Sequence, residues 1–228
     1  MGLKRKPPPG NVRRVRSNGQ NLRYTITNKA GQIVQCESHH ERKLALLLER
    51  DDQVVDYRSQ PEILSWYDDK GKAHQYVPDF QVWRKDGCIE LHEVTLTHRH
   101  AKSEARQEAA RGICQERGWV YIVHTEQALP AETEWQNLLT VYPYRAETYC
   151  SERQTAGILR WLQKDAMRWS ELRETVSSQD LPALHSTMLH LLWHGPVLTD
   201  WKISLFTNGC LRTGIILRSE VHHAIQAL

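Results

Sequence analysis

Three acidic residues sit at or near the ends of regular elements, and this arrangement constrains the fold more than any other feature. Glu41 opens an apolar helical pattern, Asp79 ends a strand pattern, and Glu93 lies inside the next strand pattern. Strands and helices that alternate in this way predict a mixed α/β core. Carboxylates that converge from such elements can hold Mg²⁺ or Mn²⁺ over a phosphodiester. The pattern therefore predicts a metal-dependent nuclease.

Short strands and two helices are predicted over roughly the first 130 residues. Strand patterns at residues 23–27 and 33–38 precede a helix that begins after Ser38 and runs to about Arg50. Strands at 54–57, 63–67, 75–77, 82–83 and 89–94 are joined by turn-forming residues. A helix from about Ala101 to Arg117 ends at Gly118, and a strand follows at 119–124. These elements predict a mixed sheet with flanking helices.

The pattern changes after residue 150. Helices are predicted at 151–163, 169–176 and 181–193, and strands follow at about 197–206 and 214–217. Three short helices followed by a β-hairpin resemble a winged helix, a module that contacts DNA or protein. The predicted organisation is therefore a flexible basic arm (1–20), a nuclease domain (21–145) and a small winged-helix-like domain (146–228).

Basic residues are concentrated at the start of the chain, although the formal net charge of all 228 residues is only +3. No acidic residue falls among the first sixteen, and a Pro-Pro-Pro-Gly run disfavours regular structure there. An arm of this kind suits DNA phosphates, because neutralising them releases counterions. The alternative is a solubilising tail. The basic residues are Lys4, Arg5, Lys6, Arg13, Arg14 and Arg16.

The five cysteines are scattered and never form a C-x-x-C pair, which predicts a reducing compartment. Cys36, His39 and His40 suggest a zinc cluster, but two further ligands at zinc-like spacing are missing. The sequence has neither a signal peptide nor a long apolar run, so a soluble cytoplasmic protein without membrane association is expected.

Each carboxylate also has an interpretation without a metal. Glu41 follows Ser38 by three positions, which is a capping-box spacing, and Asp79 follows a proline at a strand end, as turn residues do. Glu93 alternates with Leu91 and is equally compatible with a solvated strand position. The order, spacing and strand context of the three together favour the metal site.

In that site Asp79 is the expected bridging ligand and Glu93 the second carboxylate. The backbone carbonyl of Val94 is expected to complete the ligand shell, and Glu41 to reach in from its helix. Glu41, Pro78-Asp79 and Glu93-Val94-Thr95 resemble the restriction-endonuclease-like motif PD-(D/E)-x-K. Residues 38–52, 55–61 and 78–80 more closely resemble TnsA, the endonuclease subunit of heteromeric bacterial transposases. The resemblance covers roughly residues 20–130.

The resemblance implies a restriction-endonuclease-like fold and a specific activity. Such a subunit uses Mg²⁺, with Mn²⁺ as a substitute, to cut the non-transferred strand of double-stranded DNA at transposon ends. A DDE-type transposase, TnsB, cuts the other strand, and a regulatory ATPase, TnsC, binds the C-terminal region of the nuclease. The family roles of metal ligands fall on Glu41, Asp79 and Glu93, and the expected location is the bacterial cytoplasm.

Thr95 occupies the position at which the family pattern has a catalytic lysine. A threonine hydroxyl carries no charge and is a very poor base. Either a cation from the next segment (Arg99 or Lys102, near His98 and His100) takes that role, or cleavage is weak or lost. The run at 97–100 is alternatively a basic loop that holds the DNA backbone. Two rival functions stay open: a non-catalytic scaffold that binds DNA and recruits transposition partners, and a stand-alone restriction or repair nuclease.

Overall fold

A computed structural model describes residues 24–176, 180–208 and 210–220 of the chain, without the side chains of residues 100–102. The chain divides into two compact units, Met1–Leu129 and Pro130–Leu228. This division falls earlier than the predicted boundary at residue 145, because the helix Glu132–Val141 packs on the helix Leu181–His194 of the second unit.

The first unit is built on a four-stranded mixed sheet with the order β3-β6-β7-β8. Neighbours among β3, β6 and β7 are antiparallel, whereas β7 and β8 are parallel and are connected through α2. Two further two-stranded sheets pair β1 with β2 and β4 with β5. The prediction of a mixed α/β domain is confirmed. The elements are β1 Tyr24–Thr27, β2 Ile33–Cys36, α1 His39–Arg50, β3 Val54–Ser59, β4 Leu64–Tyr67, β5 Ala73–Tyr76, β6 Phe80–Arg84, β7 Ile89–Thr95, α2 Thr97–Glu116 and β8 Val120–Thr125.

Local chemistry fixes one end of each of the two helices in this unit. The Ser38 hydroxyl accepts a hydrogen bond from the backbone N–H of Glu41 (3.0 Å), which caps α1. Gly118 follows α2 with φ +69°, a left-handed conformation that glycine adopts at little cost, so the predicted helix end is confirmed.

One apolar cluster packs α2 against the sheet and the β4-β5 hairpin. Leu64, Tyr76, Leu91, Ala110 and Cys114 are its buried members. Alternate residues of a strand share a face, so the side chains two and four positions after Leu91 on β7 also lie on the α2 side of the sheet. This packing places the functional positions of β7 beneath α2.

The second unit contains a helix α3 followed by a compact helical and β region. Its three-stranded antiparallel sheet has the order β10-β13-β9, and β11 and β12 form a separate hairpin between β10 and β13. The term winged helix stays a prediction for this unit. The elements are α3 Glu132–Val141, α4 Glu152–Leu162, β9 Met167–Arg168, α5 Trp169–Thr175, α6 Leu181–His194, β10 Val197–Leu198, β11 Phe206–Thr207, β12 Cys210–Leu211 and β13 Ile216–Ser219. Within the described residues, none of the helices has the length and apolar character needed to cross a membrane.

Candidate active site

Asp79 is held at the start of β6 by two backbone hydrogen bonds. Its Oδ2 accepts from the backbone N–H of Val94 on the neighbouring strand (2.7 Å), and its carbonyl oxygen accepts from the N–H of Gln60 (2.9 Å). The first bond ties the side chain of the Pro-Asp segment directly to the strand that carries Glu93. Asp79 is therefore tied to the neighbouring parts of the sheet and is not an isolated turn residue.

Glu93 is buried, with 5% of its surface exposed, and the solvated alternative is therefore wrong for this position. The Tyr76 hydroxyl donates a hydrogen bond to its Oε2. Arg106 of α2 donates from Nη2 to its Oε1 over 2.6 Å, and the same guanidinium lies 4.7 Å from the centroid of the Tyr76 ring. An ionised donor makes such a bond stronger than a neutral one, so Glu93 is fixed from both sides.

Glu41 lies in the first turn of α1 and contributes charge to the site. Its backbone N–H binds Ser38, and its Oε2 accepts from the backbone N–H of Glu37 (2.7 Å). Burial, followed by the negative charges of Glu37 and Glu93, outweighs these hydrogen bonds and raises the pKa of Glu41 to about 7. The predicted Ser38 cap is present, and the Glu41 carboxyl also lies close enough to Glu93 to be affected by its charge.

The three carboxyl groups form one electrostatic cluster. Desolvation by the surrounding protein, then the charges of Glu93 and Glu41, raise the pKa of Asp79 well above its ordinary value. Burial and the charge of Glu93 likewise raise the pKa of the Tyr76 hydroxyl, which keeps it a proton donor. A group of buried like charges that resist ionisation is suited to receive a cation.

Two adjoining cavities open beside this cluster. One, of about 350 Å³, is lined by Tyr76, Asp79, Glu93 and Arg106 among others. The second, of about 340 Å³, shares Glu93 and Arg106 with the first. Its remaining walls include Glu41, Val94, Thr95 and Arg99. The structure thus brings together the predicted residues Glu41, Asp79, Glu93, Val94, Thr95 and Arg99.

The donor set suits a hard divalent ion, because carboxylate oxygens are the ligands that Mg²⁺ and Mn²⁺ prefer. Among the described residues, the one group with three ligand atoms mutually within 4.8 Å is Glu147, Cys150 and His190, in the second unit. The oxygen atoms of the three carboxylates therefore do not all lie within 4.8 Å of one another. Mg²⁺ retains waters, so a water-mediated third contact fits this spacing. The zinc cluster considered at Cys36, His39 and His40 gains no support.

The predicted cationic residues fall into three groups. Arg99 is exposed and lines the second cavity. Lys102 belongs to α2, but its side chain lies outside the described residues, as do those of the basic arm, Lys4, Arg5, Lys6, Arg13, Arg14 and Arg16.

The prediction of a loop at 97–100 is wrong. These residues form the first turn of α2, where the carboxylate of Glu126 accepts a hydrogen bond from the N–H of Thr97 (2.8 Å) and caps the helix.

Two residues that border the candidate site, Arg106 and Tyr76, were not predicted from the sequence. Arg106 lies seven positions after Arg99, with Ser103 between them, and this spacing places all three on one helix face. That spacing was visible in the sequence. Tyr76 gave no comparable indication, because its hydroxyl meets Glu93 only through the packing of the β4-β5 hairpin.

Comparison with known proteins gives one family match. Residues 51–126 match the family model described as TnsA-like endonuclease N terminal. The matched segment contains Asp79, Glu93, Thr95 and Arg106, whereas Glu41 precedes it. No curated protein sequence matches the chain. The match confirms the resemblance to a TnsA-like endonuclease and indicates a nuclease related to transposition.

Proposed function

We propose, from the match of residues 51–126 to the TnsA-like endonuclease N-terminal domain, that this protein is a metal-dependent DNA endonuclease of a transposition complex. Its proposed reaction is cleavage of the non-transferred strand at transposon ends. The observation that carries the proposal is the convergence of Glu41, Asp79 and Glu93 on two cavities that share the Arg106 guanidinium.

Asp79 and Glu93 would hold Mg²⁺ or Mn²⁺ directly, and the carbonyl of Val94 and a water on Glu41 would complete the shell. When bound, such an ion supplies charge neutralisation on the phosphate and an activated water. The chain contributes the rigid placement of the ligands. Val94 fixes Asp79 through its N–H, and Tyr76 and Arg106 fix the two oxygens of Glu93. Such outer contacts commonly contribute tenfold to a hundredfold to metal affinity.

Arg106 is the group proposed to supply the positive charge that Thr95 lacks. Thr95 is buried at 8% exposure on the wall of the second cavity, and the Arg106 guanidinium borders both cavities. A guanidinium stays charged at any physiological pH and binds phosphate oxygens through paired donors. It orients phosphate and offsets its charge, but it is not a proton acceptor.

Replacement of Arg106 tests this role. Removing one charge-stabilising donor from an active site typically lowers the rate by about 10²–10³-fold, and Arg106→Ala is expected to fall in this range. Arg111→Ala is the matched control, since Arg111 is exposed on the same helix and pairs with Glu108. Adding Thr95→Lys to Arg106→Ala should restore part of the activity. A cleavage rate of Arg106→Ala equal to that of wild type would show that Arg106 does not have this role.

The partners follow from the same resemblance. A TnsB-like DDE transposase would cut the transferred strand, and a TnsC-like ATPase would bind the second unit. The order helix–strand–helix–helix–strand–hairpin–strand from α4 to β13, with β13 central in its sheet, supports the winged-helix prediction. Arg99, Lys102 and the basic arm would contact DNA phosphates beside the carboxylates.

The test of function is cleavage of supercoiled plasmid that carries cognate transposon ends, with Mg²⁺ or Mn²⁺, with and without the partner transposase. Wild type is compared with Asp79→Ala and with Asp69→Ala, which removes an exposed acid of the β4-β5 turn. Partner-dependent cutting of the non-transferred strand that is lost only in Asp79→Ala would support the proposal. Cutting by the protein alone, without preference for transposon ends, would instead identify a stand-alone nuclease.

A non-catalytic scaffold is the second candidate, and Thr95 is the observation that favours it. In that case wild type binds DNA ends and the transposase but leaves both strands intact apart from the cut made by the transposase. Comparing the cleavage rate of wild type with that of Thr95→Lys separates a weakened active site from an absent one. A gain of cleavage in Thr95→Lys means that the carboxylates can still support chemistry.

A further inference from the structure

Three different metal-ligand side chains meet in the second unit. One oxygen of Glu147, the sulfur of Cys150 and a ring nitrogen of His190 all lie within 4.8 Å of one another. His190 is buried at 4% exposure, Cys150 is half-buried, and the Glu147 side chain is 87% exposed. The group therefore has a fixed inner ligand and an edge open to solvent.

The hydrogen bonding of His190 leaves the correct nitrogen available. Its Nδ1 is 2.9 Å from the backbone carbonyl oxygen of Tyr144, which can only accept, so Nδ1 carries the proton. The lone pair then belongs to Nε2, which is 4.0 Å from the Glu147 carboxylate. A histidine that donates from one ring nitrogen to a backbone carbonyl and offers the other is the arrangement found at protein metal sites.

The segment that carries Cys150 is pinned to the helix that carries His190. The Thr187 hydroxyl on α6 donates to the carbonyl of Tyr149 (3.2 Å) and accepts from the N–H of Ser151 (3.2 Å). Thr187 lies three positions before His190, so both face the same side of α6. These two bonds flank Cys150 and hold it opposite His190.

Glu147, the third ligand, lies on a short helical turn that ends at Cys150. Glu147 and Cys150 are the first residue and the cap of one 3-10 turn, and the N–H of Cys150 donates to the carbonyl of Glu147 (2.9 Å). The turn places both side chains at neighbouring positions without any long-range constraint. Three ligand atoms are thus arranged by secondary structure and by partly buried hydrogen bonds.

We propose that Glu147, Cys150 and His190 form a zinc site in the second unit, with a water as the fourth ligand. One thiolate, one imidazole and one carboxylate suit Zn²⁺ in tetrahedral geometry and do not suit Mg²⁺. Binding requires the Cys150 thiol to release its proton to solvent, so affinity rises with pH. The site is independent of the nuclease proposal, and it would tie the 142–150 segment to α6.

The test uses the full chain, stripped with chelator under a non-thiol reductant and titrated with Co²⁺ as a spectroscopic substitute for Zn²⁺. One equivalent of Co²⁺ should produce a thiolate-to-metal charge-transfer band that stoichiometric Zn²⁺ removes. The band should disappear in Cys150→Ser and persist in Cys210→Ser, which removes the exposed cysteine of the same unit. It should also persist in Asp79→Ala.

Glu147→Gln keeps the test decisive if a variant of the buried His190 fails to fold. Its exposed side chain allows replacement without disturbing the packing, and we expect zinc affinity, measured by competition with a chromophoric chelator, to fall about tenfold or more. Absence of the band in wild type, its persistence in Cys150→Ser, or an unchanged zinc affinity in Glu147→Gln would each overturn the proposal.

Discussion

Replacement of Glu41 by glutamine should stabilise the metal-free protein at alkaline pH. Glu41 lies near Glu93 and Glu37, and its ionisation adds a negative charge to a desolvated cluster. Glutamine has nearly the same shape and no charge. Its carbonyl oxygen can still accept hydrogen bonds from the N–H of Glu37 and from the Ser38 side chain, and the backbone N–H of residue 41 stays bonded to Ser38.

The magnitude follows from the pKa of Glu41, which folding raises from 4.5 to about 7. A carboxyl whose pKa is raised in the folded state contributes stability that is complete below pH 4.5 and is lost as pH rises through 7. At roughly 1.4 kcal/mol per pKa unit, the full loss is about 3 kcal/mol. Glu41→Gln should therefore raise the free energy of unfolding by about 3 kcal/mol at pH 8, and by only about 1 kcal/mol at pH 5.

Urea unfolding in the presence of chelator at pH 5 and pH 8 measures this difference. Pulse labelling of α1 peptides with deuterium assigns the transition to the first unit. Glu104→Gln is the control, because it removes an equal charge from an exposed position of α2 and should change stability by less than about 0.5 kcal/mol. Equal stability of wild type and Glu41→Gln at pH 8 would refute the electrostatic argument.

Three further perturbations test other parts of the structure. Asn137 of α3 binds the backbone at Trp201, Ile203 and Leu205, so Asn137→Ala should lower the free energy of unfolding by roughly 2–4 kcal/mol in urea; a loss below 1 kcal/mol would contradict this. Gly195 ends α6 with φ +94°, and Gly195→Ala should lower the free energy of unfolding by about 1 kcal/mol in urea. A higher free energy of unfolding would contradict the expected backbone strain of alanine at this φ. Tyr76→Phe removes a hydrogen-bond donor to Glu93 and should raise the Mg²⁺ concentration needed for half-maximal cleavage by about tenfold to a hundredfold. An unchanged Mg²⁺ concentration would show that the Tyr76 hydroxyl does not support metal binding.

The strands of the first unit were predictable because their turns are encoded locally. Gly71 and Gly87 have φ values of +73° and +85°, and the hairpins they close fall where the sequence placed them. The start of α2 was not predictable in the same way. Its N-cap position, Leu96, provides no side-chain hydrogen bond, and the cap comes instead from Glu126, a residue distant in the sequence.

Helix α3 was missed for a related reason. Ala131 at its N-cap offers no capping side chain, so the usual sequence marker of a helix start is absent. Trp135 of this helix is buried at 1% exposure. Its environment depends on packing within the second unit, which a single local pattern does not contain.

The candidate site shows the same division between local pattern and packing. The order, spacing and strand context of Asp79 and Glu93 predicted them as ligands, but the arginine that contacts Glu93 comes from a helix. Arg106 reaches Glu93 at 2.6 Å because α2 packs over β7, and this packing could not be read from the sequence, although the helical spacing from Arg99 to Arg106 could. What the chemistry requires is a positive charge at a position in space, and a chain can meet that requirement from any element that faces the site.

Glu41 makes the complementary point about alternatives that a sequence leaves open. Capping and metal binding were rival interpretations, yet the structure gives the residue a capping role and a place on the cavity wall together. The two are compatible because the Ser38 cap uses the backbone N–H, and because a carboxylate can accept several hydrogen bonds, so the bond from Glu37 to Oε2 leaves acceptor capacity. The cap then acts as a positioning device: it fixes the first turn of α1, and with it the carboxyl that faces Glu93.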